Sequence, residues 1–137
     1  MGTFHGKLNR FSRNITAFFD ERLSHYGMAV SYIETLLIIT HEAECSQKQL
    51  SSDMGLAPST ITRFIEKLVN KGYVVKKRQG KEVYVTLTSA GIDITGKMKK
   101  DYKQAEKELQ QLLGTKYLET TGKLAEFGIE LTEKEIM

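Results

Sequence analysis

Residues 46–72 read SQKQLSSDMGLAPSTITRFIEKLVNKG. The pattern predicts two short helices joined by a tight turn. Ser46 suits the N-cap of the first, with Gln49 three positions on as its capping-box partner. Leu50 and Met54 lie four apart and face inward together. Gly55 stands where a chain leaving a helix often needs positive φ, and Leu56 plugs the turn. Pro58 suits the first position of the second helix, because its missing N–H would be unpaired there anyway. Ile61, Phe64, Ile65 and Leu68 recur at i, i+3, i+4 and i+7 as one buried stripe. Ser59, Thr60, Thr62, Arg63, Glu66, Lys67 and Asn70 remain outside, and Gly72 ends the helix. An inert solvated face would carry a Glu/Lys mixture. This one begins with short hydrogen-bonding side chains and an arginine, the chemistry that a recognition helix presents to duplex DNA.

The next stretch, Tyr73–Thr88, is YVVKKRQGKEVYVTLT. Tyr73, Val74 and Val75 read as one strand, and Val83–Leu87, rich in β-branched and aromatic residues, as its partner. Between them Lys76–Glu82 form a charged tip turned by Gly80. A charged tip also serves as a solubilising loop or a protected sheet edge. Directly after two helices of this kind it is read as a wing that touches DNA.

Charge is distributed accordingly. Residues 46–88 hold eight Lys/Arg and three acids, net +5, whereas the remaining chain holds twelve and fourteen, net −2. This asymmetry implies a polyanionic partner more strongly than the overall +3 does.

Composition excludes other classes. A length of 137 residues fits one compact subunit. The longest apolar run, Leu36–Ile39, is far short of the ~20 residues of a membrane span, and residues 1–14 lack the apolar stretch of a signal peptide. A single cysteine forms no internal disulfide, so the cytoplasm is the expected compartment. No nucleophile–base pairing, glycine-rich phosphate loop or metal set is found, so no enzymatic activity and no cofactor are expected.

The flanks mount this motif. Leu8, Phe11, Ile15, Phe18, Phe19 and Leu23 make an amphipathic stripe over residues 6–24. Val30, Ile33 and Leu36–Ile39 make a second, more buried helix. A long helix is predicted over Ser89–Leu113, with Ile94, Met98, Tyr102, Ala105, Leu109 and Leu112 close to a heptad seam. Gly114 breaks it. A last helix uses Tyr117, Leu118, Leu124, Phe127 and Leu131. The fold class is therefore mainly α with a small β-hairpin wing. The terminal helices are more apolar than one small motif requires, which points to a homodimer. The organisation expected is a single subunit, 1–137: residues 6–45 for support and dimerisation, 46–88 for DNA binding, 89–137 for dimerisation.

These residues resemble the MarR family of winged helix-turn-helix transcriptional regulators. The most specific stretches are Gln47–Gly72, with Leu50, Gly55, Leu56, Ser59–Arg63 and Leu68 in place, and LTSAG at Leu87–Gly91, similar to the family's usual exit from the wing. The resemblance implies a homodimer with intertwined terminal helices and repression, less often activation, at a pseudo-palindrome. It also implies release by a small, often aromatic ligand or by cysteine oxidation. The sequence departs from the family pattern at three places. Gln79 and Lys81 stand at the wing positions where the family often has Asp and Arg, and Lys lacks the planar fork of Arg. Ala57 replaces a capping Ser, and Ser51 replaces a usual Ala.

The residues assigned to DNA are Ser59, Thr60, Thr62 and Arg63 for the groove, with Arg63 the candidate for bidentate contact to guanine. Lys67, Lys76, Arg78 and Lys81 supply attraction to the backbone, and Lys48 touches its flank. For a small aromatic effector, Phe11, Phe18, His25, Tyr26 and Tyr32 lie in segments expected to converge beside the DNA-binding region. His41, Glu42, Glu44 and Cys45 have spacing that can hold a metal, but nothing completes the set, and Cys45 reads as a semi-buried inert thiol at a helix C-terminus. The alternatives to a regulator are a winged-helix module that binds protein and an architectural DNA-binding protein without sequence choice.

Overall fold

The computed structural model describes residues 2–41 and 43–131. The expectations placed on Glu42, and on the side chains of His41, Phe127 and Leu131, lie outside the described residues. The order of elements is α1 (Phe4–Arg22), a 3-10 turn (Ser24–Tyr26), α2 (Val30–His41), β1 (Cys45–Ser46), α3 (Gln47–Met54), α4 (Pro58–Asn70), β2 (Val74–Gln79), β3 (Glu82–Leu87), α5 (Ser89–Leu113) and α6 (Thr115–Leu131). The mainly helical fold with a β wing is as expected. The chain divides into two compact units, Met1–Tyr102 and Lys103–Met137.

In the first unit the apolar stripes of α2, α3 and α4 meet. Ile33, Leu36, Leu50, Ile61, Ile65 and Leu68 are sealed from solvent there. Burying a side chain of this size stabilises by ~1.5–3 kcal/mol, so this cluster holds α4 at a fixed angle and leaves only its polar face outside. The ends of the elements are satisfied locally. Ser46 Oγ accepts from Gln49 N at 3.0 Å, and the Val30 N–H, at the start of α2, donates to Asp20 Oδ1 at 2.8 Å. Gly55 leaves α3 with φ 62°. The capping box is half formed: Gln49 Nε2 donates to Asp53 Oδ1 at 2.7 Å, a charge-assisted bond one turn on that competes with the return contact of Gln49 Oε1 to the Ser46 N–H.

The sheet is antiparallel, in the order β1-β3-β2. Two features correct the expectation. First, Cys45 is not at a helix end: it pairs with Val85 as the first residue of β1 and is buried. Second, the basic run is not a loop. Lys76, Lys77 and Arg78 pair with Val85, Tyr84 and Val83, and only Gly80 and Lys81 make the turn. Gly80 has φ 63°, while no non-glycine described residue has positive φ. Positive φ at the first central position alone is the type II′ pattern, whose twist matches paired strands and lets the ladder run to the tip.

The second unit comprises the end of α5 and α6. Ala105 and Leu109 are buried, whereas Leu112, Tyr117 and Leu124 are about two-thirds exposed.

Candidate nucleic-acid interface

The outward face of α4 is built from both sides. From below, Ile61, Ile65 and Leu68 fix its rotation. At its start Ala57 offers no side-chain cap, and Pro58 occupies the first turn. Ser51 holds the turn before it: its hydroxyl donates to the Leu56 carbonyl at 2.6 Å, while Leu56 N donates to the Ser51 carbonyl at 3.1 Å. Ser51, standing in place of the usual Ala, thus adds a hydrogen bond across the helix-turn-helix.

Ser59, Thr62 and Arg63 are exposed on α4 as the sequence suggests, but Thr60 is half-buried. The Thr62 hydroxyl donates to the Pro58 carbonyl at 3.0 Å and accepts from Gln47 Nε2 at 3.3 Å. Gln47 did not figure among the site residues. The available signal was only that it opens α3 beside Lys48.

The basic residues separate into two kinds. Lys67 Nζ lies 4.6 Å from the centre of the Tyr32 ring, which stacks at a tilt on Phe64, 4.4 Å between centroids. Lys76 is ion-paired with Glu66 across from α4 to β2. Lys48, Arg63, Arg78 and Lys81 are exposed, and among the described residues no acid pairs with them. Strand pairing puts Lys76 and Arg78 on the face of the wing that carries the buried Val74 and Val85, and Lys77 on the opposite face with Tyr84. The wing therefore turns Lys76 and Arg78 toward the α4 side and sends Lys77 away from it.

The five aromatics expected to form one ligand site do not converge. Phe18 meets Phe19 edge to face, with Arg22 4.4 Å above its ring. Tyr32 belongs to the Phe64–Lys67 stack. Phe11 sits two turns before Phe18 on α1, half-buried. Only His25 and Tyr26 meet, at 4.2 Å between rings. Both reach Asp101 Oδ2, from His25 Nε2 at 3.1 Å and from the Tyr26 hydroxyl at 2.6 Å. Together with Ile94, Lys97 and Lys100 they line an open depression on α5. The Tyr26 hydroxyl is pushed well above its ordinary pKa by burial and by the carboxylate it donates to. Asp101 is held below the usual carboxylate range, first by that hydroxyl and then by His25. The periodicity of these rings reflected packing of separate helices, which spacing alone does not distinguish from a shared pocket.

Among the described residues no three His, Cys, Asp or Glu side chains gather as a metal site, and no helix is long and apolar enough to cross a membrane.

A helix-turn-helix with an adjoining hairpin, both exposing basic side chains, defines the winged helix-turn-helix class. Within that class the MarR family model matches residues 31–81, from the start of α2 to the turn of the wing. Solved structures extend the likeness over nearly the whole chain. A MarR transcriptional regulator from Methanosarcina mazei Go1 is 25% identical, with a TM-score of 0.76 over 98% of this chain and 92% of that one. A cysteine-to-serine mutant of MarR from E. coli, complexed with operator DNA, is 21% identical, with a TM-score of 0.77 over 88% and 90% of the two chains. Among curated proteins, an uncharacterized HTH-type transcriptional regulator of Bacillus subtilis strain 168, YdgJ, is 24% identical over 87 residues, 64% of this chain and 53% of that protein. Riboflavin kinase of Pyrococcus abyssi is 32% identical over 60 residues, 44% of this chain and 28% of that protein. The chain thus spans between about a quarter and about half the length of these curated relatives.

Proposed function

We propose that this protein is a sequence-specific DNA-binding transcriptional regulator that represses as a homodimer on a pseudo-palindromic operator. The observation that carries the reading is the exposed face of α4. Ser59, Thr62 and Arg63 stand there on a helix whose other side is fully packed, with the basic strand β2 alongside. Short polar side chains and an arginine can enter a major groove, and Lys48, Arg78 and Lys81 can meet the phosphates on either side. The operator complex of the E. coli protein, which shares this fold, supports the same use of the surface. Arg63 is the reader of guanine in this scheme. Thr60, being half-buried, lies at its margin, while Lys67 contributes charge from a position tied to Tyr32 and Lys76 is held by Glu66.

One recognition helix covers only a few base pairs, so the reading includes a twofold pair of subunits. Exposed Phe4 and Leu8 on α1, Leu112 on α5 and Tyr117 and Leu124 on α6 supply the apolar surface for it. Residues 6–45 and 89–137 then serve support and dimerisation, and 46–88 bind DNA. Release by a small aromatic ligand belongs to the same proposal, placed at the depression beside His25 and Tyr26.

The test is selection of bound duplexes from a random-sequence pool by the wild type and by Arg63→Ala. A palindromic motif that the substitution blurs supports the reading. Binding without a motif makes the protein architectural, and no binding at low salt makes it a protein-interaction module.

A further inference from the structure

The Gln47–Thr62 hydrogen bond joins the first residue of α3 to the exposed face of α4. Its polarity is set by chemistry. The single hydroxyl proton of Thr62 goes to the Pro58 carbonyl at 3.0 Å, so toward Gln47 the oxygen can only accept. The Gln47 group facing it must therefore be the NH2, and the orientation of the carboxamide is fixed. An amide nitrogen carries two protons. With one held by Thr62, the other proton and Oε1 form a donor–acceptor edge that has no partner among the described residues. Such an edge, when adjacent and parallel, complements N7 and N6 of adenine in the major groove. Gln47 is half-buried, so part of the rotamer freedom that a free Gln side chain loses on immobilisation is already given up.

We propose that Gln47, held by Thr62, is a base-reading residue of this protein and selects adenine at one position of each half-site. The proposal rests on the DNA-binding reading above and adds a residue on α3 to those on α4. Thr62, its hydroxyl proton given to the Pro58 carbonyl and one of its two lone pairs to Gln47, acts as the positioning residue.

Random-pool selection with the full chain tests this, using wild type, Gln47→Ala and Thr62→Val, each checked for an unchanged thermal melt. The wild type is expected to enrich a motif with adenine at one position of each half-site. Gln47→Ala loses roughly tenfold of the discrimination at that position alone, with affinity for random duplex and its salt slope unchanged. Thr62→Val keeps the side-chain shape, removes the acceptor and relaxes the same position. It carries the test alone if Gln47→Ala does not fold. An unchanged motif, or uniform weakening across all sequences, overturns the role of Gln47 while leaving a DNA-binding regulator in place. A wild type that enriches no motif overturns the regulator reading and this one together.

Discussion

Gly91 and Tyr73 meet backbone to backbone: a Cβ placed on Gly91 would stand 2.0 Å from the Tyr73 carbonyl oxygen. That carbonyl already accepts from Thr88 N at 3.0 Å, and the Thr88 hydroxyl both donates to the Gly72 carbonyl at 2.6 Å and accepts from Gly91 N at 3.0 Å. The residues LTSAG thus join the base of the wing to the start of α5. Neither backbone can retreat without breaking these bonds. Gly91→Ala is expected to destabilise the protein by ~3 kcal/mol, the upper range for overpacking. Chemical denaturation measures it, and a loss under about 1 kcal/mol would show that the junction yields.

The Tyr26–Asp101 contact predicts a pH profile. The Tyr26 hydroxyl titrates higher in the folded chain than its ordinary value of 10.0. The stability it contributes is therefore complete below pH ~10 and declines as pH rises toward the raised folded value. Asp101 titrates lower than its ordinary 3.8, so its contribution is complete above that value and is lost as pH falls. Tyr26→Phe should cost about 1 kcal/mol near neutrality, discounted for solvent exposure. The gap in melting temperature between wild type and variant should close both above pH 10 and below pH 4. A gap constant from pH 3 to 11 would remove the contact from the account.

How much of this was legible follows from which interactions are local. Ser46, Gly55, Pro58 and the stripe Ile61–Leu68 each act within one helix turn or one cap, so residue type and spacing carry them. The bounds of α5, Ser89–Leu113, were legible for the same reason, with Gly114 at φ 86° ending it. The two-residue strand β1 has no periodicity to read. Lys76–Arg78 carry weak strand preference and are extended because β3 pairs with them. The partners of Lys67, Lys76 and Gln47 all come from other elements, Tyr32, Glu66 and Thr62. A basic residue in the sequence does not announce whether its charge is already engaged. The aromatic rings are placed by the same kind of contact: ring spacing along α1 and α2 says nothing about which neighbouring helix each ring meets.

Dimerisation can be tested on α6. Tyr117 and Leu124 are seven residues apart, on one face of the helix, and both remain about two-thirds exposed in the single chain. A twofold interface would bury Leu124 once from each subunit. Leu124→Lys is expected to weaken the dimer at least roughly tenfold, since each Leu contributes ~1.5–3 kcal/mol on burial. Sedimentation across a concentration series reads this directly. Wild-type protein that remains monomeric at high concentration would remove the dimer from the proposed function.

The Lys76–Glu66 pair makes a prediction in the opposite direction, a gain. Glu66 lies on the exposed face of α4, four residues from Thr62, and draws the ammonium of Lys76 toward the helix. Both side chains are substantially open to solvent, so the pair contributes little to stability, ~0–1 kcal/mol at most. Its effect on DNA is larger in principle, because a lysine that neutralises a carboxylate releases no counterion from a phosphate. Glu66→Gln keeps the size of the side chain, removes its charge and frees Lys76. Affinity for any duplex should rise at low salt, and the slope of log affinity against log salt should steepen by about one. The base preferences set by Arg63 should stay as they are, while the melting temperature moves little. Lys76→Ala should leave the slope nearly unchanged in the wild-type background but lower it by about one in the Glu66→Gln background. A full loss already in the wild-type background would mean that Lys76 leaves Glu66 for phosphate on binding, and that the ion pair does not hold its charge in reserve.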